Sequence, residues 1–425
     1  MSQPKKYVLF IERALLALLN TWETFQRVPG YEHAEPLIIT SNPTAVRALG
    51  RPITILPCTF GSDAEIQQTL APYTQNIVAV FSTGETNVQY LRRIIPFLPP
   101  HIRTATPEAL ATSTDKQAMR EAFRAVWPEI TPAFLEVTNA SEATQLHIEQ
   151  TIPYPVIIKP AGLASSLLIQ SCTSRAELAA ALTKIFAHIH DVYRDQKRAI
   201  SPRVLVEEYL EGDFYSTDAY VMERGQVFLC PPVGYIPVKQ RGVDDFSLYK
   251  RFVPTSLTAA QHDAMQSAAT KAVDAVGLTH SSAHIELVLT TQGWKVIELG
   301  PRIGRYRHRM YQMAYGIHHY ANDLLIHFGL APTIPAVLQK YCAAYSLYPE
   351  SEGEFVELAG LEFLQQSPYI KHLHFRAKPG DIALHAKHGG KLIVEFYVVA
   401  DDQKNFDETV ATIESTVKVI TRPQA

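Results

Sequence analysis

Residues 283–300 read AHIELVLTTQGWKVIELG, and they are the most informative part of the sequence. Two apolar runs flank a three-residue loop that ends in Gly293, where a left-handed backbone is favoured, so the stretch predicts a β-hairpin. In that register Glu286 lies directly opposite Glu298. Opposed like charges destabilise a sheet, and a cation between the two carboxylates would reverse the sign of their interaction.

The two glutamates therefore predict a metal site. Mg²⁺ prefers oxygen ligands and is typically held by one or two carboxylates together with the phosphates of a substrate. The alternative is a solvated face that tolerates two glutamates, and the pair alone does not separate these interpretations. The predicted core face carries Ile285, Leu287, Leu289, Ile297 and Leu299. The predicted outer face carries His284, Glu286, Val288, Thr290, Trp294, Val296 and Glu298.

The composition indicates a folded protein of more than one domain. The chain has 425 residues, of which 47% are hydrophobic and 19% charged, and this suits two or three globular domains. The net charge of −3 gives no reason to expect nucleic acid or an acidic membrane as a partner. The four cysteines are far apart and match no metal-ligand spacing, so we expect buried thiols in a reducing, cytoplasmic compartment. We expect no membrane span.

Three regions follow one another along the chain. Residues 1–105 alternate predicted strands (7–11, 36–40, 53–57 and 76–81) with helices, which indicates an α/β domain with a parallel sheet. Its first strand is not followed by a Gly-x-Gly-x-x-Gly turn, which argues against a dinucleotide site. Residues 106–335 form the central domain with the hairpin. Residues 336–425 are predicted as a small α+β unit.

Two lysines of the central region lie where a phosphate could bind. Thr114 and Gln117 form a predicted capping box, which places Lys116 in the first turn of a helix. A cation there opposes the helix dipole, and a bound anion would relieve the conflict. Lys159 ends a predicted strand before the loop 160–166, whose small residues let backbone N–H groups approach a phosphate. Exposed surface lysines are the alternative at both positions.

Basic residues surround the second glutamate. The hairpin runs into Leu-Gly-Pro-Arg-Ile-Gly-Arg, a loop that carries Arg302 and Arg305, and loops at strand ends concentrate binding groups. The basic run 305–309 fits either an acidic substrate group or a solvated helix face. Residues 231–257, rich in Pro, Gly, Tyr, Lys and Arg, are predicted as a loop covering a substrate.

The last region contains His372, His374, His385 and His388. Histidines so close together raise the idea of a zinc site, but their spacings fit no standard one, which favours unrelated histidines.

The order of these features resembles the ATP-grasp superfamily, most closely its branch of carboxylate–amine ligases that join amino acids or similar small molecules. The similarity runs from about residue 106 to about residue 329. It is strongest over 277–305, where a helix ending in Gly-Leu precedes His-x-Glu, a hairpin and Ile-Glu-x-x-Pro-Arg-Ile-Gly. It implies an ATP-grasp fold, preceded by a Rossmann-like α/β domain and followed by the α+β unit.

The resemblance also implies roles for individual residues. Those assigned to ATP are Lys116, Lys159, Ser165, Ser166, Glu207, Glu208, Leu210 and Asp213. Glu286 and Glu298 would hold Mg²⁺, with Mn²⁺ as an alternative. Arg302 and Lys159 would act in catalysis, and His284 and Arg305 would face the substrate. The loop 161–166 would be a mobile lid.

The chain departs from the family pattern at three places. Gly300 stands where an Asn usually supplies a further metal ligand, and the lid contains a single glycine, Gly162. The acid that usually binds ribose is replaced by Phe214, with Asp213 one residue earlier.

The resemblance predicts an ATP-dependent ligase that forms an amide between a carboxylate and an amine through an acyl phosphate, releasing ADP and phosphate. It also allows a homodimer. Two alternatives stay open: a protein that binds nucleotide without catalysis, and an enzyme that carboxylates or phosphorylates a small molecule.

Overall fold

Four β-sheets organise the part of the chain that the structure, a computed structural model, describes: residues 5–12, 21–47, 53–162, 167–195 and 201–423. The strands are β1 (Tyr7–Ile11), β2 (Glu35–Thr40), β3 (Thr54–Pro57), β4 (Ile77–Phe81), β5 (Phe134–Val137), β6 (Val156–Pro160), β7 (Gln170–Cys172), β8 (Val204–Glu208), β9 (Asp213–Val221), β10 (Val227–Leu229), β11 (Val233–Pro237), β12 (Leu248–Val253), β13 (Ser281–Thr290), β14 (Gly293–Gly300), β15 (Tyr341–Leu347), β16 (Gly353–Ala359), β17 (Ile370–Phe375), β18 (Ile382–Ala383), β19 (Val394–Ala400) and β20 (Lys418–Arg422).

The helices are α1 (Pro43–Arg47), α2 (Asp63–Leu70), α3 (Glu85–Ile94), α4 (Pro107–Thr114), α5 (Lys116–Val126), α6 (Glu142–Thr151), α7 (Arg175–Asp195), α8 (Ala259–Ala275), α9 (Arg307–Tyr315), α10 (His319–His327), α11 (Leu361–Gln366) and α12 (Gln403–Thr416). Residues 21–25 are also helical. Among the described helices, none is both long and apolar enough to cross a membrane.

The first sheet confirms the parallel arrangement predicted near the N-terminus. Its strand order is β3-β2-β1-β4, and every pairing is parallel. Alternate residues of β1 enter separate hydrophobic clusters, Leu9 in one and Val8 and Phe10 in the other. Because both faces of this sheet are covered, β1 is apolar at all of its positions.

The two lysine-bearing segments belong to a second, antiparallel sheet and its neighbour α5. This sheet has the order β5-β8-β6-β7, and α7 packs its apolar side against it. Lys159 is the fourth residue of β6, next to β8. The strand predicted to carry this lysine is therefore confirmed, and it also pairs with β7.

The hairpin lies at one edge of a nine-stranded sheet with the order β14-β13-β9-β11-β12-β15-β19-β17, to which β10 adds by pairing with β9. β16, β18 and β20 form a separate three-stranded sheet. Because β15 pairs with β12, the large sheet continues across position 336. The predicted domain boundaries at 105 and 335 stay a prediction.

The hairpin contains a bulge that the sequence did not reveal. Glu286 pairs with Glu298 as predicted, but the register shifts directly afterwards, so that Leu287 pairs with Val296. Gly293 is already part of β14, which makes the turn one residue shorter than expected. A bulge places two residues of one strand opposite one residue of the other, and a shift of one residue exchanges the two faces.

The face predictions for β14 between the turn and the bulge were therefore wrong, whereas Leu287 on β13 is in the core as expected. Trp294 and Val296 are buried in the hydrophobic cluster that also contains Leu287, whereas they were expected on the outer face. Ile297, expected in the core, is only partly buried. The faces on the other side of the bulge agree with expectation, because Glu286 and Glu298 stand together there.

Residues 231–257 were predicted to be a loop that covers a substrate, and this prediction is wrong. They contain β11 and β12, which pair with each other inside the large sheet. The helix start near Lys116 also differs, because the N-cap of α5 is Asp115 and Thr114 ends α4. Asp115 accepts hydrogen bonds from the backbone N–H groups of Gln117 and Ala118. The four cysteines are buried and free, as expected.

Candidate active site

Glu286 and Glu298 face each other across β13 and β14, and their side chains are 29% and 36% exposed. Each carboxylate has a positive or ionisable neighbour. His284 Nε2 is 3.3 Å from Glu286 Oε1, and Lys116 Nζ is 3.4 Å from Glu298 Oε1. Two partly exposed carboxylates side by side are the donor set that Mg²⁺ prefers, so these residues fit the expected cation.

A buried chain of polar groups fixes His284. Asp218 on β9 is fully buried, and its Oδ1 lies 2.6 Å from His284 Nδ1. Its other oxygen bonds to Nε2 of His319, whose Nδ1 bonds to the Tyr220 hydroxyl. Carboxylate oxygens only accept, so His284 donates Nδ1–H to Asp218 and, as an imidazolium, Nε2–H to Glu286.

The charges of these buried polar groups favour an ionised Glu286. Burial lowers the pKa of His284, but the charge of Asp218 and the hydrogen bonds to both carboxylates outweigh it and raise the pKa. Burial raises the pKa of Glu286, but the hydrogen bond from His284 and its charge hold the pKa below the ordinary value. His284 thus contacts a candidate metal ligand, and its expected contact with the substrate stays a prediction.

The glycine of the Pro-Arg-Ile-Gly segment has a steric reason. Gly304 N donates to Asp218 Oδ2 at 2.8 Å. A Cβ at this position would lie 2.6 Å from His284 Nδ1 and 2.6 Å from Arg307 Cγ, closer than real Cβ contacts. Only glycine lets the backbone approach both side chains.

Arg307 is a site residue that the sequence did not single out. Its side chain is buried, and Nη2 donates to Ser216 Oγ at 2.7 Å and to the Tyr235 hydroxyl at 2.5 Å. Ser216 pairs with Glu286 in the sheet register, so this guanidinium lies beside Glu286. Its position in the basic run 305–309 was the available signal, although that run also fitted a solvated helix.

Arg251 on β12 is a second cation that was missed. Its guanidinium lies 4.4 Å from the centre of the Tyr306 ring, and Nη1 donates to Ser346 Oγ at 2.9 Å. Its charge, together with that of Arg307, also favours the low pKa of Glu286. It lies in the segment predicted as a covering loop, so no sequence pattern connected it with the hairpin.

The two predicted arginines are less buried. Arg302 is partly buried, and its Nη1 donates to the Ile303 carbonyl at 3.2 Å. Arg305 is 67% exposed, with Nη2 3.9 Å from Glu395 Oε2. Their roles toward the phosphoryl group and the substrate stay predictions.

Lys159 lies in a buried ion-pair group. Its Nζ is 2.7 Å from Glu207 Oε2, and Arg120 Nε is 3.0 Å from Glu207 Oε1. Burial lowers the pKa of Lys159 to about 8 against the opposing effect of Glu207, so the amine is still a cation at pH 7. Arg120 also donates to the carbonyls of Val296 (3.1 Å) and Ile297 (2.6 Å), which ties this group to β14.

The two predicted lysines are brought to one place. The backbone N–H of Lys116 points to the carbonyl of Ala161, just after β6, at 3.5 Å. The charge of the Lys116 side chain contributes to the low pKa of Lys159. The cations of α5 and β6 thus lie beside the Glu298 end of the hairpin. This arrangement fits a polyphosphate bridged to a metal.

The other residues assigned to ATP are only partly placed by the structure. Glu207 bonds to Lys159 and Arg120, so its carboxylate belongs to the ion-pair group of Lys159. Glu208 and Leu210 are partly buried, and Asp213 is exposed at the start of β9. Lys239 was not predicted as a site residue. Its Nζ lies 4.8 Å from the ring centre of Tyr209, the residue between Glu208 and Leu210 in the sequence. Ser165 and Ser166 lie outside the described residues.

The sequence is similar to a known domain family and to several proteins. Residues 152–308 match the family model of the ATP-grasp domain. The uncharacterised protein y4rH of Sinorhizobium fredii is 23% identical over 276 residues, which are 64% of this chain and 54% of y4rH. D-alanine–D-alanine ligase of Synechococcus is 35% identical over 104 residues, 23% of this chain and 26% of the ligase. The chain thus spans about half, or less, of the length of these relatives.

The whole fold is similar to solved structures. L-amino acid ligase from Bacillus licheniformis superposes with a TM-score of 0.74 at 17% identity, covering 99% of this chain and 100% of the other. N5-carboxyaminoimidazole ribonucleotide synthetases also share the fold, and the one from Thermotoga maritima has a TM-score of 0.67 at 16% identity, covering 98% of this chain and all of the other. At these identities the likeness concerns the fold alone, and the predicted multidomain α/β and α+β architecture is confirmed.

Proposed function

We propose that this chain, whose residues 152–308 match the family model of the ATP-grasp domain, is an ATP-dependent carboxylate–amine ligase that acts on amino acids. A carboxylate oxygen of one substrate would attack the γ-phosphorus of ATP, releasing ADP and leaving an acyl phosphate. The amine of the second substrate would then attack the acyl carbon, so that an amide forms and phosphate leaves. Such chemistry depends on positioning and charge neutralisation more than on a covalent role of the protein.

The observation that supports this proposal best is the facing pair Glu286 and Glu298 with Lys116 beside it. Glu286 and Glu298 would hold Mg²⁺, or Mn²⁺, which neutralises phosphate charge when bound. Lys116 and Lys159 would bind phosphate oxygens. The hydrogen-bonded His284 would keep Glu286 ionised and oriented.

Arg307 and Arg251, the two cations beside Glu286, support an anionic acyl substrate. Arg307 is held between Ser216 and Tyr235, and Arg251 lies against Tyr306, so both guanidinium groups have fixed orientations. We assign them to the substrate carboxylate, together with the predicted Arg305, and keep Arg302 for the transferring phosphoryl group. Fixed positive charge aimed at a transferring phosphoryl or carboxyl group stabilises charge that develops there.

A coupling screen tests the proposal. The purified chain is incubated with ATP, Mg²⁺ and pairs of amino acids, and ADP, phosphate and product mass are measured. We expect ADP and phosphate in equal amounts and a product whose mass equals both substrates less one water. Glu298→Gln is the control, because it removes the negative charge of a candidate metal ligand and nearly keeps the shape of the side chain.

The alternatives give different results. Carboxylation or phosphorylation of one substrate would release ADP without a condensed product, and a nucleotide-binding protein would bind ATP without releasing ADP. Either result across the whole panel would overturn the ligase proposal. A cytoplasmic location and a homodimer remain part of this proposal, and sedimentation of the purified chain tests the dimer.

A further inference from the structure

The C-terminal histidines separate into two pairs in the structure. His372 and His374 lie on β17, whereas His385 and His388 lie between β18 and β19. The second pair meets Glu352, which lies between β15 and β16. One donor atom from each of these three side chains lies within 4.8 Å of those of the other two.

A ring nitrogen of each histidine lies near one oxygen of Glu352. His388 Nδ1 is 2.8 Å from Glu352 Oε1, and His385 Nδ1 is 3.9 Å from the same oxygen. The second distance is too long for a hydrogen bond, and a shared tetrahedral Zn²⁺ would require the two atoms to move about half an ångström closer together. His385 Nε2 lies 3.3 Å from the Glu350 carbonyl, and a donated Nε2–H there leaves the Nδ1 lone pair directed at Glu352.

The turn that carries the histidines is held in place by acidic groups. Glu352 Oε1 accepts the backbone N–H of His385 at 2.7 Å. The buried Asp245 accepts the backbone N–H groups of Ala386 (3.1 Å) and Lys387 (3.0 Å). The ligand geometry is therefore largely formed before any cation binds, and the surrounding carboxylates favour positive charge.

We propose that Glu352, His385 and His388 form a binding site for a divalent first-row transition-metal ion, with Zn²⁺ as the ion it takes. Two imidazoles and one carboxylate suit such ions, whereas Mg²⁺ and Ca²⁺ prefer oxygen ligands. Three protein ligands leave a coordination position for water. The bound ion would join the β15–β16 connection to the β18–β19 connection, and because it binds the folded chain it would stabilise this part of the protein.

The site is independent of the proposed ligase chemistry, because its ligands are not those of ATP or Mg²⁺. Its test therefore uses metal binding, without turnover. The full chain is stripped with a chelator and dialysed, and Zn²⁺ is titrated calorimetrically in the presence of excess Mg²⁺. Co²⁺ is titrated in parallel to record its absorption spectrum.

Two variants are compared with the unaltered chain. His385→Ala with His388→Ala removes two ligands, and His372→Ala with His374→Ala is the matched control that removes two nearby histidines. We expect one tight Zn²⁺ equivalent and a rise in melting temperature in the unaltered chain and the control. The first variant should lose that equivalent, with affinity reduced at least about tenfold.

A third variant covers the case in which the double alanine variant fails to fold. Glu352→Gln keeps the shape of the side chain and should still weaken Zn²⁺ binding. Equal Zn²⁺ affinity in Glu352→Gln and the unaltered chain, or loss of binding in the His372/His374 control alone, would overturn the proposal. So would a titration in which Mg²⁺ displaces Zn²⁺ from the site.

Discussion

Replacing Glu207 by Gln should destabilise the protein strongly. Glu207 is almost fully buried and is the shared counter-ion of Lys159 and Arg120, whose side chains are 7% and 1% exposed. The substitution keeps the shape of the side chain but leaves two buried cations facing a neutral amide. Breaking a buried pair by removing one partner costs about 3–5 kcal/mol.

A matched control lies close by. Glu129 pairs with Lys271 at 2.6 Å, but the two side chains are 54% and 30% exposed. Glu129→Gln is the same chemical change at a half-exposed pair, where the expected loss is below about 1 kcal/mol. The comparison therefore isolates burial as the cause of the difference.

Urea unfolding followed by tryptophan fluorescence measures both losses. Of the three tryptophans, Trp294 is buried in the cluster next to α5 and β14, and Trp127 packs against the same cluster. Their signal therefore reports the part of the chain that contains Arg120 and its carbonyl partners. If Glu207→Gln and Glu129→Gln both unfold within about 1 kcal/mol of the unaltered chain, the reasoning about the buried ion pairs is refuted.

Three further predictions concern activity. Glu298→Gln should abolish ADP release while the melting temperature stays nearly unchanged, because this side chain is 36% exposed; normal turnover would exclude Glu298 as a metal ligand. Burial lowers the pKa of Lys159 to about 8, so apparent ATP affinity should fall as the pH rises through about 8. Lys159→Arg should flatten that profile, and identical profiles would contradict the role of this charge. Gly304→Ala should lower kcat by about 100-fold, because its Cβ would displace His284 or Arg307; a circular-dichroism melt checks the fold, and unchanged kcat would refute the steric argument.

Local sequence patterns were sufficient for much of the architecture. Strands with both faces buried are apolar throughout, so β1 and its parallel neighbours could be recognised from composition and spacing. The short hairpin depends on neighbouring residues, and the pairing of Glu286 with Glu298 was therefore predictable. Thr258 and Gln261 form a capping box, a pattern that depends only on neighbouring residues, and α8 begins directly after Thr258.

Details that depend on a single residue were less predictable. The bulge after Glu286 moved Trp294 and Val296 into the core, because alternation alone does not show where an extra residue enters a strand. The sequence could not distinguish Thr114 from Asp115 as the cap of α5, because both residue types act as caps. In the structure the cap is Asp115. Arg203, a distant residue, also pairs with Asp115.

The sequence alone indicated most of the strands and helices, and it showed that two carboxylates face each other across a hairpin. What surrounds these carboxylates and the C-terminal histidines depends on the folded arrangement: Asp218 behind His284, Arg251 and Arg307 beside Glu286, and Glu352 against His385 and His388. The reason is that periodicity and capping record contacts between near neighbours in the chain. Buried polar groups must find partners wherever the fold brings them, and those partners lie on strands and loops far apart in sequence.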